Sequence, residues 1–185
     1  MGASLTNLLT YSATYASAIP VSLYLQKIRG FTGREAESLL SSHSIVQAAL
    51  SPIAGFIADK HRPSIIASIG LCIIVLDIYC LVPLETSTLI TEILYALLIL
   101  GVGFALFTTP NTTSALNASP RKLYRTASAF LGDMRFLGQA INTSIAIAET
   151  KNIPNMIDAI NATLWIYLLI AIFATVSTSI IRGKR

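Results

Sequence analysis

Residues 65–82 read IIASIGLCIIVLDIYCLV, an apolar stretch whose one charged residue is Asp77. A helix needs about 17 to 25 such residues to cross a hydrocarbon core about 30 Å thick. Five other blocks of the chain have a similar character, and the six predicted spans are residues 5–25, 38–58, 65–82, 89–107, 127–148 and 162–181. The pattern therefore predicts an all-α integral membrane protein in which residues 1–185 form one six-helix transmembrane domain.

The overall composition agrees with lipid as the solvent. Hydrophobic residues make up 54% of the chain and charged residues 12%, against roughly 25% charged in an ordinary soluble domain. The formal net charge is +4, but the Lys and Arg residues lie in short gaps between apolar blocks, so no basic surface for nucleic acid is expected. Cys72 and Cys80 share one apolar span and are predicted to be small packing residues.

Two predicted spans are less apolar than the others. Residues 38–58 include five serines and Gln47, and residues 127–148 include Arg135 and Asn142. Polar groups are tolerated at membrane depth only where a helix faces other protein or a water-filled cavity. These two helices are therefore predicted to line the interior.

The basic residues outside the spans predict the orientation in the membrane. Six spans place both termini on one side, and the eight basic residues of that side are Lys60, Arg62, Arg121, Lys122, Arg125, Arg182, Lys184 and Arg185. The other side has four, namely Lys27, Arg29, Arg34 and Lys151. This excess predicts cytoplasmic termini in the cell membrane, with residues 83–88 outside.

The segment PIAGFIADKHRPSIIASIG, residues 52–70, passes between two spans through a very short basic link. It resembles the loop pattern G-x-x-x-D-[RK]-x-G-[RK] of the major facilitator superfamily, with Gly55, Asp59 and Lys60 in place and Arg62 one position early. Gly55 is expected to let a neighbouring helix approach closely, and the acid and bases can pair at the cytoplasmic face. An ordinary short cytoplasmic loop accounts for the same charges.

A second stretch, residues 101–148, is GVGFALFTTPNTTSALNASPRKLYRTASAFLGDMRFLGQAINTSIAIA. It is similar to the late helices of the fourteen-helix drug:proton antiporter branch of that superfamily. There a glycine-rich helix ends in Phe-x-x-Pro-Asn, a basic loop follows, and the next helix contains Ala-Ser and then Arg-x-x-Gly-Gln. The matching positions are Phe107, Pro110, Asn111, Ala127, Ser128, Arg135, Gly138 and Gln139. Gly101 and Gly103 are expected to form a flexible point.

The resemblance covers roughly residues 11–181 and implies one carboxy-terminal half of a permease, with three departures. Arg62 and Pro63 stand where the loop often has glycine and then a base, Thr126 stands where glycine commonly precedes Ala-Ser, and an amino-terminal half is absent. In such permeases solute binds near mid-membrane between the halves. We therefore expect a second bundle as partner, either a second copy or a separately encoded amino-terminal half.

Arg135 is the first candidate for substrate binding or coupling. A cation near the middle of a membrane helix costs at least about 2.5 to 3.5 kcal/mol unless it is paired or hydrated. Asp133 lies two positions away, and residues at that spacing do not face each other on a helix, so Asp133 is expected to meet another helix or the cytoplasmic loop. Arg135 either fixes helix packing through an acid or carbonyls, or recognises a solute or anion.

Asp77 and Glu92 are the candidates for proton coupling. Asp77 lies about 18 Å along its helix from Ile65 at 1.5 Å per residue, and burial of a carboxyl group in an apolar setting favours the protonated form. The alternative for Asp77 is a carboxylate that is paired or hydrogen-bonded inside the bundle. Glu92 lies nearer the outer surface and either titrates during transport or simply reaches water.

Three uncharged residues complete the set of candidates. Gln47 and Asn142 are polar groups that would be costly against lipid, so we expect them on the wall that meets the partner bundle. Tyr15, on the first span, could stack on an aromatic, drug-like solute.

The sequence thus predicts a small-molecule transporter, with drug or metabolite efflux by proton antiport as the activity that the resemblance implies. Its expected partners are membrane lipid, a solute, protons and the second bundle, without a cofactor, a metal or nucleic acid. The alternative is a non-transporting remnant or scaffold from a truncated permease gene. An enzyme is not expected, because no nucleophile has a His and an acid at recognisable spacing and no phosphate-cradling loop occurs.

Overall fold

The computed structural model describes residue 11 and residues 17–82, 84–117 and 119–183. These residues form six successive helical segments and no strand, which confirms the all-α prediction. They are α1, Ala18–Leu23 continued by the π-helical turn Tyr24–Ile28; α2, Gly33–Lys60; α3, Pro63–Leu81; α4, Ile90–Asn117; α5, Tyr124–Asn152, preceded by the 3-10 turn Arg121–Leu123; and α6, Met156–Gly183.

The predicted spans 38–58, 127–148 and 162–181 lie inside α2, α5 and α6, whereas most of the span 5–25 falls outside the described residues. The largest difference is in α4, which continues through Pro110 to Asn117 although the sequence predicted an end at residue 107. Proline removes one N–H from the helical ladder. The hydroxyls of Thr112 and Thr113 donate to the carbonyls four residues earlier, at 2.9 and 3.1 Å, and add local hydrogen bonds just beyond the proline.

The turn between α1 and α2 is built from local signals. Gly30 has φ of +71°, a left-handed conformation that glycine adopts without steric cost. Thr32 then caps α2, because its side chain accepts from the Glu35 N–H while the Glu35 carboxylate accepts from the Thr32 N–H at 2.8 Å. This reciprocal pair satisfies two donors that a helix start otherwise leaves free.

Glycines set the closest helix contacts. A Cβ atom on Gly70 of α3 would lie 2.6 Å from the backbone N of Phe107 in α4, and one on Gly101 would lie 2.5 Å from the carbonyl of His43 in α2. Gly101 and Gly103 are therefore packing positions within a continuous helix, and the expected flexible point was wrong. The expectation for Gly55 was also wrong, since a Cβ there would meet only a Thr109 methyl at 3.6 Å, an ordinary contact.

Many large apolar side chains face outward and some polar side chains are buried, as in a membrane protein. Large apolar side chains lie on the outside, among them Ile45, Tyr95 and Leu169, each about two-thirds exposed, while Asp77 and Asn142 are fully buried. Exposed large apolar side chains together with buried polar ones are typical of a helix bundle whose solvent is lipid. By length and composition, three helical stretches among the described residues could cross a membrane, Gly33–Lys60, Ile90–Ser114 and Met156–Ser177, and Ile65–Leu81 is apolar but shorter.

The arrangement of helices places α3 and α4 at the centre. α3 contacts α4 and α6, α4 also contacts α2 and α5, and α5 contacts α6. α1 contacts α2, α5 and α6. The outer faces of α2 and α5, the two polar helices, are left largely exposed.

Candidate functional site

Asp77 is the one fully buried carboxyl group among the described residues. Its side chain is fully buried in α3, and one carboxylate oxygen accepts a hydrogen bond of 2.8 Å from the hydroxyl of Ser17, at the start of α1. The other oxygen has no hydrogen-bond partner among the described residues. A buried carboxyl group with one neutral donor favours its protonated form, because no cation of the described part of the chain pairs with the ionised form.

Arg135 and Asp133, unlike Asp77, lie at the surface of the bundle. Both side chains are exposed on α5, and Arg135 is near the middle of this 29-residue helix. The guanidinium carbon of Arg135 lies 5.7 Å from the ring centroid of Phe136, the next residue. A cation–π contact of this kind compensates only part of the cost of a cation at membrane depth, so this face of α5 requires water or a partner.

Gln47 and Asn142 do not share one environment. Gln47 is half-buried on α2, whereas Asn142 is fully buried in α5 where that helix meets α6. The hydroxyl of Tyr167 in α6 donates to the backbone carbonyl of Asn142. Asn142 therefore belongs to the inside of this bundle, and the expectation that it faces the partner side was wrong.

Glu92 lies in the first turn of α4. Its side chain is exposed, and one carboxylate oxygen accepts from the Leu89 N–H at 3.2 Å. Glu92 therefore caps the N-terminus of its own helix, α4, which is a favourable position for an anion.

The loop residues of the α2–α3 link are at the surface. Asp59, Lys60 and Arg62 are exposed and Gly55 is half-buried. The ammonium group of Lys60 lies 4.2 Å from the ring centroid of Phe56, one turn earlier on α2. The lysine thus covers an exposed aromatic ring of its own helix, which is an ordinary way for a long cationic side chain to lie at a membrane surface.

The candidate residues therefore occupy several separate places. Asp77 lies in the core, Arg135 and Asp133 at exposed positions on different sides of α5, Gln47 on α2, and Glu92 at the end where α4 begins. Tyr15 lies outside the described residues. Among the described residues, no group of three His, Cys, Asp or Glu could hold a metal ion.

Sequence reasoning missed a group of contacts at the α3–α4 link. The carbonyls of residues 84, 85 and 86 accept hydrogen bonds from Asn161, Tyr24 and Arg29, at 2.9, 2.7 and 2.9 Å respectively. The donors come from α6, from the π-helical turn of α1 and from the residue after it. These contacts place the end of α1, the α3–α4 link and the start of α6 at one end of the bundle, as a six-span topology requires. No local sequence pattern predicts these hydrogen bonds, because each joins residues 57 or more positions apart.

Comparisons with known proteins give one consistent answer. The family model of the Major Facilitator Superfamily matches residues 3–182. An uncharacterized MFS-type transporter of Bacillus subtilis, YhcA, is 31% identical over 142 residues, which are 77% of this chain and 27% of the relative. The riboflavin transporter RibZ of Clostridioides difficile is 23% identical over 72% of this chain and 29% of its own. The multidrug resistance protein Stp of Mycobacterium tuberculosis is 28% identical over 73% and 25%.

Proposed function

Because the chain belongs to the Major Facilitator Superfamily, we propose that it is one half of a permease that exports or exchanges a drug-like or metabolite molecule by proton antiport. Two relatives named for a multidrug resistance function and for riboflavin transport support this solute class. The matched part spans 25% to 31% of the length of the relatives. We propose that a second bundle completes the pathway, and the arrangement tested below is a pair of copies of this chain.

The observation that carries the proposal is the exposed Arg135 in the middle of α5. The same helix exposes Asp133, and α2 presents the half-buried Gln47. Against lipid, the cation alone costs at least about 2.5 to 3.5 kcal/mol, whereas a watery cleft between two bundles removes that cost. An exposed cation at this depth fits the wall of a solute pathway, where Arg135 would bind an anionic or polar part of the solute.

Asp77 is the proposed proton carrier. Its hydrogen bond to Ser17 joins α3 to the start of α1 inside the bundle, and an ionised carboxylate at this place has no described cation to balance it. Release of the proton therefore favours a conformation in which water or a cation reaches Asp77. A movement of α1, which also contacts α2 and α5, would link that change to the solute-facing helices.

The orientation follows from the charge count. The eight basic residues on the side of the termini, against four on the other, favour cytoplasmic termini in the cell membrane. The α3–α4 link, with its three bound carbonyls, then lies outside.

The test uses the purified chain in proteoliposomes, with riboflavin and ethidium as two fluorescent probes. We expect a discrete dimer that moves at least one probe when a proton gradient is imposed. Arg135→Gln should abolish all movement of that probe, whereas Arg125→Gln, a matched change of an exposed arginine at the start of α5, should not. Asp77→Asn should remove the response to the proton gradient while probe exchange without a gradient persists.

Two outcomes would count against the proposal. A chain that moves a probe equally well with Arg135→Gln and Arg125→Gln would exclude a solute-binding role for Arg135. A chain that stays monomeric and moves neither probe would refute transport by a homodimer, and would favour the alternative of a non-transporting membrane scaffold.

A further inference from the structure

A cavity of about 410 Å³ opens between α3 and α4 at the end where α3 stops and α4 starts. Its volume lies in the range of roughly 300 to 1,000 Å³ that small-molecule sites occupy. It contains none of the residues to which the transport proposal gives a role. Its lining includes Cys80, Leu81, Glu92, Ile93 and Tyr95.

The position of the cavity follows from the packing of the two helices. Their backbones are closest near Gly70, where a Cβ would lie 2.6 to 2.8 Å from three backbone atoms of α4. Cys80 is ten residues further along α3, which is about 15 Å at 1.5 Å per residue. The cavity therefore lies near the ends of the two helices, at the level of a membrane interface rather than at mid-membrane.

The chemistry of the lining is divided into two parts. Glu92 is its one charged residue, and no lysine or arginine is among the lining residues. Tyr95 is exposed beside it and offers an aromatic ring, whose face attracts cations. The remaining wall is mostly aliphatic, with Leu81 and Ile93 fully enclosed at its base. The carboxylate and the aromatic ring match a cationic head group, and the aliphatic wall matches a hydrocarbon chain.

We propose that this cavity binds a phospholipid whose head group ends in a primary ammonium, as in phosphatidylethanolamine. The ammonium donates hydrogen bonds to the Glu92 carboxylate, which retains accepting capacity besides the bond from the Leu89 N–H. One acyl chain lies along the aliphatic wall. A lipid whose head group has no cation is disfavoured, because its phosphate would approach the Glu92 carboxylate without a balancing charge.

The two native cysteines allow a direct test. Cys80 lines the cavity, and Cys72 is also exposed on α3, two turns away and outside the lining. The chain with Cys72→Ser reports on Cys80 alone, and the chain with Cys80→Ser reports on Cys72 as the matched control. Each is placed in nanodiscs of phosphatidylglycerol, of phosphatidylglycerol with phosphatidylethanolamine, or of phosphatidylglycerol with phosphatidylcholine. The rate of alkylation by N-ethylmaleimide, a neutral reagent, is then measured.

We expect phosphatidylethanolamine to slow alkylation of Cys80 at least about threefold, the protection given by a ligand at twice its dissociation constant. The rate at Cys72 should not change. Glu92→Gln, which keeps an oxygen for the Leu89 N–H, should restore the unprotected rate at Cys80 when it is combined with Cys72→Ser. An unchanged Cys72 rate when Glu92→Gln is combined with Cys80→Ser shows that the fold is kept.

Three results would overturn the assignment. The first is equal slowing at both cysteines, which reports a general change in the bilayer. The second is protection that survives Glu92→Gln. The third is equal protection by phosphatidylcholine, whose quaternary ammonium has no N–H to donate. None of these measurements involves solute movement, so the test of the lipid site is independent of the transport proposal.

Discussion

Replacement of Gly70 by alanine should separate the two central helices. The new Cβ would lie 2.6 Å from the backbone N of Phe107, 2.7 Å from the carbonyl carbon of Leu106 and 2.8 Å from the carbonyl oxygen of Gly103. All three atoms belong to the backbone of α4, so no side-chain rotation relieves the contact. An ordinary contact begins at 3.4 Å, and α3 and α4 must therefore move apart locally by about 0.8 Å, the difference between 3.4 and 2.6 Å.

The expected cost follows from that displacement. A gap of roughly 0.5 to 1 Å loses a quarter to a half of the dispersion energy of the atoms that face it, and overpacking of this kind typically costs about 1 to 3 kcal/mol. Alanine regains up to about 1 kcal/mol over glycine from its higher helix propensity. Because the contact is with backbone, we expect the upper part of the range and a net loss of about 2 kcal/mol.

The assay is heat stability in mild detergent, measured as the fraction of monodisperse protein in size-exclusion chromatography after heating. A loss of about 2 kcal/mol corresponds to a midpoint lowered by roughly 4 to 8 °C for a chain of this size. Gly132→Ala is the matched control, because a Cβ at Gly132 meets nothing within 4 Å, and it should be neutral or slightly stabilising. A Gly70→Ala protein as stable as Gly132→Ala would refute the close approach of α3 and α4 at this point.

Three further changes test other parts of the structure with the same heat-stability assay. Tyr24→Phe removes the donor to the Glu85 carbonyl and should cost about 1 kcal/mol; an unchanged midpoint would mean that this bond does not persist. Asn161→Asp replaces the donor to the Leu84 carbonyl with an acceptor and should cost about 1 to 3 kcal/mol, and equal stability would contradict that contact. Thr32→Ala deletes the cap of α2 and should cost about 1 kcal/mol, whereas Thr32→Ser should retain most of the stability.

Much of the helical framework was predictable because lipid imposes a minimum length on each apolar block. The span 65–82 coincides with α3, Pro63–Leu81, to within two residues at either end. The end of α4 was missed because the sequence prediction closed the span at residue 107, before Pro110, whereas the helix continues through this proline to Asn117. The glycines were also misassigned, since the sequence shows where a side chain is absent but not which helix occupies the space.

The candidate site was less accessible to sequence reasoning. Asp77 could be chosen because a charge in an apolar block is unusual, but its hydrogen-bond partner Ser17 is 60 residues away and no pattern connects them. Asn142 and Arg135 are seven residues apart on one helix, and both are polar. They nevertheless face different environments, since only the packing of α5 against α6 determines that Asn142 is buried and Arg135 is not.

The hydrogen bonds also indicate which helices can move. The first segment is tied to α3 and the link after it at successive levels, through Ser17 to Asp77 and Tyr24 to the Glu85 carbonyl. These pairs advance in the same direction along the sequence of both elements, so α1 and α3 run parallel. The helices α2 and α5 have largely exposed outer faces, and α5 presents Arg135 there. A rearrangement driven by solute or by a proton at Asp77 would therefore displace α2 and α5 most easily, since fewer buried contacts hold these two helices than hold α3 and α4.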